Sequence, residues 1–217
     1  DDGGKLYDMQ ADPAQTTPVN AERAEIAERL QREVREWRAA VLPSNTGLLR
    51  KVAGMVDPRP FTVGYREFPI TMLPARDGQP RGGIKRSSAA PNCSYFVNWT
   101  SVDDSMVWNV DVHTAGRYEV VIDYSCPDSD VGSVVQLSCG AGRLQGQVGP
   151  GWDPPLYTNQ DTLPRPHGES QMKEFRPLVL GSVELQAGPQ QMELRALEIR
   201  GKSVMDVRRV TLTLQVE

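Results

Sequence analysis

The spacing of apolar residues is helical in the first part of the chain. Before Pro43, apolar side chains recur every three or four positions, as on one face of an α-helix: Ile26, Leu30, Val34, Trp37 and Val41. Asn20 is placed to cap this helix at its start. Because one narrow apolar face cannot build a core alone, we expect Ile26, Leu30 and Trp37 to be buried against a sandwich domain or a neighbouring molecule.

From Asn92 onward the apolar period is two, which is typical of half-buried strands. Four runs place apolar residues on one face: Met106, Trp108, Val110 and Val112; Tyr118, Val120, Ile122, Tyr124 and Cys126; Val135, Leu137 and Cys139; Val210, Leu212, Leu214 and Val216. Short strands separated by Gly, Pro and Asp turns predict an antiparallel β-sandwich of the jelly-roll kind. Ala115-Gly116 and Ala187-Gly188 each lie between two strands, and we interpret both as hairpin turns.

These periods predict a mainly β protein in three parts. Residues 1–42 would form a short strand at the Leu6-Tyr7 pair followed by the helix. Residues 43–60 have Pro and small polar residues at both ends, which predicts a linker. Residues 61–217 would form the sandwich, with one or two edge strands before residue 92.

Residues 146–177 are rich in proline, which excludes regular strand pairing and predicts a long loop. Loops of this length in compact domains are usually functional. Sugars are bound by aromatic rings and by planar polar groups that pair with hydroxyls. The candidate binding residues are therefore Trp152, Tyr157, Trp99, Asp153, Asn159 and His167, with Arg165 or Lys173 for a sulfate group. The alternative is that Trp152 and Tyr157 only pin the loop onto the sandwich.

Charge and composition exclude several function classes. The 217 residues carry a net charge of -4, with a pI near 5.3, which argues against a nucleic-acid partner. No apolar run approaches the roughly 18 residues of a membrane helix, so no membrane partner is expected. The three cysteines Cys93, Cys126 and Cys139 are too few for a disulfide scaffold.

Catalytic and metal signatures are weak, and we expect no cofactor in this chain. Two histidines, His113 and His167, cannot make a histidine-rich metal site. Asp103 and Asp104 are weak calcium candidates, and the alternative role for this pair is to cap a turn.

Residues 6–37 carry four pieces in order: Leu6-Tyr7-Asp8-Met9, Ala11-Asp12-Pro13, Thr17 to Asn20, and a charged helix ending in Trp37. As a set they resemble the C-terminal end of a sulfatase. In that family a Leu-Tyr-Asp-Leu strand leads through Asp-Pro-x-Glu and Asn-Leu-Ala to an amphipathic helix with a late Trp. Gln15 stands where Glu is commoner in the family.

A second set of motifs lies in residues 92–217: Asn98-Trp99-Thr100, Asp103-Asp104, Ala115-Gly116-x-Tyr118, Cys126-Pro127, Asp153-Pro154-Pro155, Gly168-Glu169-Ser170 and Met205 to Val210. This set resembles a β-sandwich appended to sulfatases of some environmental bacteria. Its general plan is similar to galactose-binding-like carbohydrate modules, which implies a fold more directly than a ligand.

The resemblance implies the non-catalytic C-terminal part of a sulfatase of the arylsulfatase or N-acetylgalactosamine-6-sulfatase type. The family's Cys-x-Pro/Ala-x-Arg motif is not matched, since the run from Cys126 to Asp130 has Pro one place early and Asp in place of Arg. Catalytic residues and calcium would belong to the parent's catalytic domain, a partner in cis that we expect to be periplasmic or extracellular. The sandwich would bind polysaccharide; the alternative is a structural accessory domain without a ligand.

Overall fold

The computed structural model describes residues 4–41, 59–90, 93–158, 164 and 168–215. The chain forms two compact units, Asp1–Val56 and Asp57–Glu217. Most of the predicted linker, residues 43–58, lies outside the described residues. Among the described residues, no helix is long and apolar enough to cross a membrane.

The first unit contains the predicted helix, α1, Ala24–Val41. Residues 4–23 form turns, and the strand expected at Leu6-Tyr7 is not formed there. The Asn20 side chain does not cap α1 but accepts a hydrogen bond from Leu6 N (2.8 Å) and donates one to Gly4 O (2.9 Å). Asn20 therefore holds the segment before the helix in place.

Within the first unit itself, most of the apolar face of α1 is uncovered. Ile26 and Trp37 are 41% and 63% exposed, Leu30 is half-buried, and Ala27 is the one buried residue of the helix. The burial expected for Ile26, Leu30 and Trp37 against a sandwich domain or a neighbouring molecule stays a prediction. The described part of the first unit is one helix and a run of turns, which provide too little apolar surface to cover it.

The second unit contains twelve strands among its described residues. They are β1 Phe61–Val63, β2 Ile70–Pro74, β3 Gln79–Arg81, β4 Lys85–Arg86, β5 Phe96–Val97, β6 Ser105–Val112, β7 Gly116–Ser125, β8 Val134–Cys139, β9 Gly142–Gln147, β10 Arg176–Leu185, β11 Gly188–Glu198 and β12 Asp206–Leu214. Four of them precede residue 92, where one or two were expected. Their shortness explains the difference, because strands of two to five residues are too short to show a clear period.

The strands form two six-stranded sheets. Sheet 1 has the order β1-β6-β11-β8-β9, with β3 also beside β6, and sheet 2 has the order β10-β7-β12-β5-β4, with β2 also beside β12. Every pairing is antiparallel except that of β1 with β6. This arrangement confirms the predicted antiparallel sandwich.

The core lies between the two sheets, where the alternating residues point inward. The predicted inward residues of β6, β7, β8 and β12 are buried, from Met106 and Trp108 through Tyr118 to Leu214. Val216 lies outside the described residues. Val107, on the opposite face of β6, is also buried, so the strand is covered on both sides there.

The two Ala-Gly turns are not hairpins. Ala115-Gly116 joins β6 in sheet 1 to β7 in sheet 2, and the turn at Gly188 joins β10 in sheet 2 to β11 in sheet 1. Gly188 has the positive φ of 110° expected of a tight turn. The turns and the positive φ were thus predicted correctly, but the two strands that each turn joins pair with other strands of the chain.

Candidate functional site

The long connections of the sandwich gather at one end of sheet 2. Strand register shows this, because Asp206 lies opposite Ser125, Arg176 opposite Tyr124, and Phe96 opposite Val207. The described segments that precede or follow these positions therefore lie at the same end: residues 87–90, 93–95, 126–133, 148–158, 168–175 and 199–205. The proline-rich loop predicted from the sequence belongs to this group.

The loop of residues 148–175 has an anchored stem, which we define as residues 151–158 and 168–175. Trp152 and Cys126 exchange two backbone hydrogen bonds of 2.7 Å. The Trp152 indole N–H donates to Glu174 O (3.3 Å), and the Arg176 guanidinium lies 3.5 Å from the centre of the Trp152 ring. Trp152 is half-buried, with one face covered by Arg176. These contacts pin the loop, and a sugar-binding role for Trp152 stays a prediction.

Lys173 fastens the stem to the sandwich through two carboxylates. Its Nζ lies 3.0 Å from Asp153 Oδ1 and 2.8 Å from Asp206 Oδ2, and its side chain is 9% exposed. Burial alone would lower the pKa of Lys173, but Asp206 and Asp153 outweigh burial and raise the pKa. Because Lys173 is charged and already paired twice, it is not placed to bind an external sulfate group.

Trp99 and Asp104 are placed as structural residues. Trp99 is fully buried in the core, so its ring has no face to offer a sugar. Buried Asp104 accepts hydrogen bonds from Gly83 N (2.6 Å) and Ser101 N (3.0 Å), so its carboxylate caps the surrounding turns. Asp103 is exposed beside it. Within the described residues, no three His, Cys, Asp or Glu side chains are grouped as metal ligands.

Cys126, the cysteine beside the stem, is an unreactive thiol. Cys126 and Cys139 are buried, as the alternating pattern predicted, and burial raises the pKa of each thiol to about 11. At neutral pH both are protonated thiols. Cys126 therefore contributes packing and a backbone pairing with Trp152, and it lacks the thiolate that a nucleophile requires.

A groove of about 390 Å³ lies against the stem, and we call it the loop groove. Its lining consists of polar groups, backbone and one aliphatic side chain: Ser87, Tyr95, Leu156, Gly168, Glu169, Ser170 and Gln171. Its shape is held by a hydrogen bond between the Ser87 and Ser170 hydroxyls and by one from Ala90 N to Gly168 O (2.9 Å). Burial raises the pKa of Tyr95, so its hydroxyl stays protonated at neutral pH.

Tyr157 is the exposed aromatic ring of the stem. Its backbone N donates to Met172 O (2.7 Å), and 38% of the residue is exposed. The adjacent Leu156 is exposed as well and lines the loop groove. Of the other candidate residues, Asp153 is committed to Lys173, while Asn159, Arg165 and His167 lie outside the described residues.

Sequence reasoning missed most of the groove. Ser87, Tyr95 and Gln171 carry no pattern that marks them, and they meet because segments about 80 residues apart fold together. One signal existed, since Gly168-Glu169-Ser170 stood out among the motifs of the sandwich. No local property of that motif could pair Ser170 with Ser87.

No protein-family model and no curated protein matches this sequence. Among solved structures, the chain is similar to a Podospora anserina GH26-CBM35 β-(1,4)-mannanase (TM-score 0.45, 16% identity, 68% of this chain and 28% of that chain). It is also similar to the mosquito-larvicidal Cry4Aa toxin from Bacillus thuringiensis (0.48, 11%, 68% and 24%). A family 35 carbohydrate binding module from Clostridium thermocellum matches as well (0.46, 14%, 66% and 98%). These likenesses concern the general sandwich arrangement and identify no ligand.

Proposed function

We propose that the sandwich binds carbohydrate without catalysing a reaction on it, and that the loop groove is the binding site. The observation that carries the proposal is an open groove lined by polar groups beside the exposed Tyr157 and Leu156. A saccharide needs an apolar surface for its C–H face and planar polar groups for its hydroxyls. Tyr157 supplies the first, and Glu169 and Gln171 supply the second.

The rigidity of the stem supports binding. Trp152 and Lys173 hold both arms of the stem to the sandwich, so the groove is formed before a ligand arrives. A preformed site loses less conformational entropy on binding than a loop that must first become ordered. The groove lining among the described residues has one carboxylate, Glu169, whereas glycoside hydrolysis uses a pair. Binding without hydrolysis is the role that fits this lining.

The parent is proposed to be a sulfatase, with this chain as its C-terminal part. The support is the ordered set of motifs in residues 6–37 and the solvent-exposed apolar face of α1, which includes Ile26 and Trp37. An exposed apolar face is what a helix taken from a larger domain would show. On this proposal the catalytic residues and calcium belong to the parent's catalytic domain, and the sandwich brings that domain to a sulfated polysaccharide.

Isothermal titration of the chain tests the binding proposal. The panel should pair neutral with sulfated polymers, for example agarose with carrageenan. Tyr157→Ala is expected to weaken binding about tenfold, the loss of roughly one stacking contact. Tyr65→Ala is the matched control, because Tyr65 is also a partly exposed tyrosine and lies at the opposite end of the sandwich. Absence of heat with every polymer, or equal effects of the two variants, would contradict the proposal.

The accessory-domain alternative has one observation in its favour. The outer face of sheet 2 carries an apolar band made of Phe68, Ile70, Met72 and Val179, and Phe68 is 77% exposed. Register places Met72 beside Thr211 on this face. A band of this kind suits packing on the parent's catalytic domain.

The alternative predicts that Ile70→Ser with Val179→Ser lowers the melting temperature of the full-length parent but not that of the isolated chain. Equal changes in the two proteins would contradict it. Carbohydrate binding by the isolated chain would not be affected by these two substitutions.

A further inference from the structure

A second groove, of about 410 Å³, lies on sheet 2 next to the loop groove. Its lining includes three arginines, Arg76, Arg208 and Arg209, and we call it the arginine groove. Asp77 is the one carboxylate in that lining. Positive charge is thus concentrated here in a chain whose net charge is -4.

A β-bulge places two of these arginines on the same face. Val207 and Val210 of β12 are both buried, and the register of β12 against β7 shifts between Val207 and Arg209. The bulge adds one residue between the two inward valines, so Arg208 and Arg209 both face outward. Bulges re-aim side chains in this way and are common beside functional sites.

Arg208 is the cation that remains available. Arg209 pairs with Asp123 (Nε to Oδ2, 2.6 Å), and Arg76 with Asp77 (3.3 Å). Arg208 lies over the Phe175 ring, with its guanidinium carbon 5.9 Å from the ring centre. In the part of the chain that the structure describes, no carboxylate pairs with Arg208. Phe175 can therefore orient the guanidinium without neutralising it.

The two grooves share a wall. Tyr95 and Gln171 line the loop groove, and their neighbours in sequence, Ser94 and Met172, line the arginine groove. A polysaccharide that occupies the loop groove can therefore extend into the arginine groove.

We infer that the arginine groove binds an anionic substituent, a sulfate ester or a uronic carboxylate, on the polysaccharide that occupies the loop groove. Arg208 is the ion-pairing residue, because its planar guanidinium can donate two hydrogen bonds to either group. This inference rests on the proposed function. It moves anion recognition from Lys173, which is already paired, to Arg208, which was not among the candidate binding residues.

Titration with three polymers tests the inference and separates the two anions. Chondroitin sulfate carries both groups, desulfated chondroitin carries carboxylates alone, and agarose is neutral. Arg208→Gln is expected to weaken binding of the recognised anionic polymer roughly three- to tenfold, as the loss of a charged hydrogen bond would, and to leave agarose binding unchanged. Arg208→Lys should keep part of the affinity, since lysine retains the positive charge but lacks the planar guanidinium that donates two parallel hydrogen bonds.

Arg195→Gln is the matched control, because Arg195 is an exposed arginine on β11 in sheet 1. Equal losses in Arg195→Gln and Arg208→Gln would overturn the inference and leave carbohydrate binding intact. Equal affinity of the unaltered chain for anionic and neutral polymers would also overturn the inference and leave carbohydrate binding intact. Binding of none of the three polymers would overturn both proposals. An equal Arg208→Gln loss with inorganic polyphosphate would show attraction to any polyanion, and would overturn saccharide recognition at this groove.

Discussion

The Arg176 guanidinium lies 3.5 Å from the centre of the Trp152 ring, on the strand that follows the proline-rich loop. This contact covers one face of the aromatic residue that the sequence favoured most as a sugar platform. The Trp152 indole N–H donates a hydrogen bond to Glu174 O, and this bond joins the two arms of the stem. The exposed ring of the stem is instead Tyr157, five residues later.

The first prediction separates these two aromatic residues. Trp152→Ala should lower the free energy of unfolding by about 2 kcal/mol, because a half-buried ring and its contacts are lost. Tyr157→Ala should change stability by less than about 0.5 kcal/mol while weakening carbohydrate binding. Urea unfolding and titration calorimetry measure the two effects. A Trp152→Ala chain with unchanged stability and no binding would restore the ligand role of Trp152.

The second prediction concerns the buried ion pair. Lys173→Met should cost about 3–5 kcal/mol, because it leaves Asp206 partly buried without its cation. Adding Asp206→Asn to Lys173→Met should recover part of the loss, since the charge left unpaired is then only that of the more exposed Asp153. Lys202→Met, at an exposed lysine, is the control and should be nearly neutral. Urea unfolding of the unaltered chain, Lys173→Met, Asp206→Asn and the double variant gives the coupling, and additive losses would contradict the paired role.

The third prediction is a pH dependence set by Asp130. Burial acts to raise the pKa of Asp130, but hydrogen bonds from Lys202 N, Ser203 and Ser129 outweigh burial and lower the pKa. Because the folded-state pKa lies below the unfolded value of 3.8, this stabilisation is fully present above that value. It is lost as the pH falls through the folded pKa.

Substituting Asn for this aspartate checks the effect. Asp130→Asn should cost about 2 kcal/mol at neutral pH, as the loss of charge-assisted hydrogen bonds would, and less as the pH falls below 4. The exposed Asp103→Asn chain serves as reference. Thermal unfolding between neutral pH and about pH 3 measures the difference, and parallel pH profiles for Asp130→Asn and the unaltered chain would exclude the assignment.

The fourth prediction uses two glycines to separate steric clash from backbone strain. Gly64 has φ +83°, and a Cβ there would lie 1.8 Å from the buried Tyr118 hydroxyl. Gly188 has φ +110°, and a Cβ there would meet nothing within 4 Å. Gly188→Ala should cost about 1 kcal/mol from strain alone, and Gly64→Ala about 3 kcal/mol from strain plus displacement of Tyr118. Equal melting temperatures for the two variants would contradict the difference.

Local patterning was sufficient for the strands. A sheet with one buried face imposes a period of two, so Trp108, Tyr118 and Leu137 could be assigned to the core from their spacing alone. Apolar residues at helical spacing likewise predicted the helix that ends at Val41. These features depend on neighbours within a few residues, which the sequence shows directly.

Pairing required the folded chain. β6 pairs with β11 and not with β7, although a short Ala-Gly turn joins β6 to β7. Turn residues permit a reversal of direction, but they do not say whether the chain returns in the same sheet or crosses to the other. That choice depends on which faces are buried together.

The site shows the same division. Composition and motif order pointed to a proline-rich loop with aromatic residues, and the loop does lie at the candidate site. Burial then separated Trp99, inside the core, from Tyr157 on the surface, and register brought Asp206 to Lys173. Periodicity follows from short-range geometry, and for that reason it could be read from the chain. The burial and pairing of individual side chains depend on contacts between segments far apart in sequence. Only the packing of the two sheets and their loops determines those contacts.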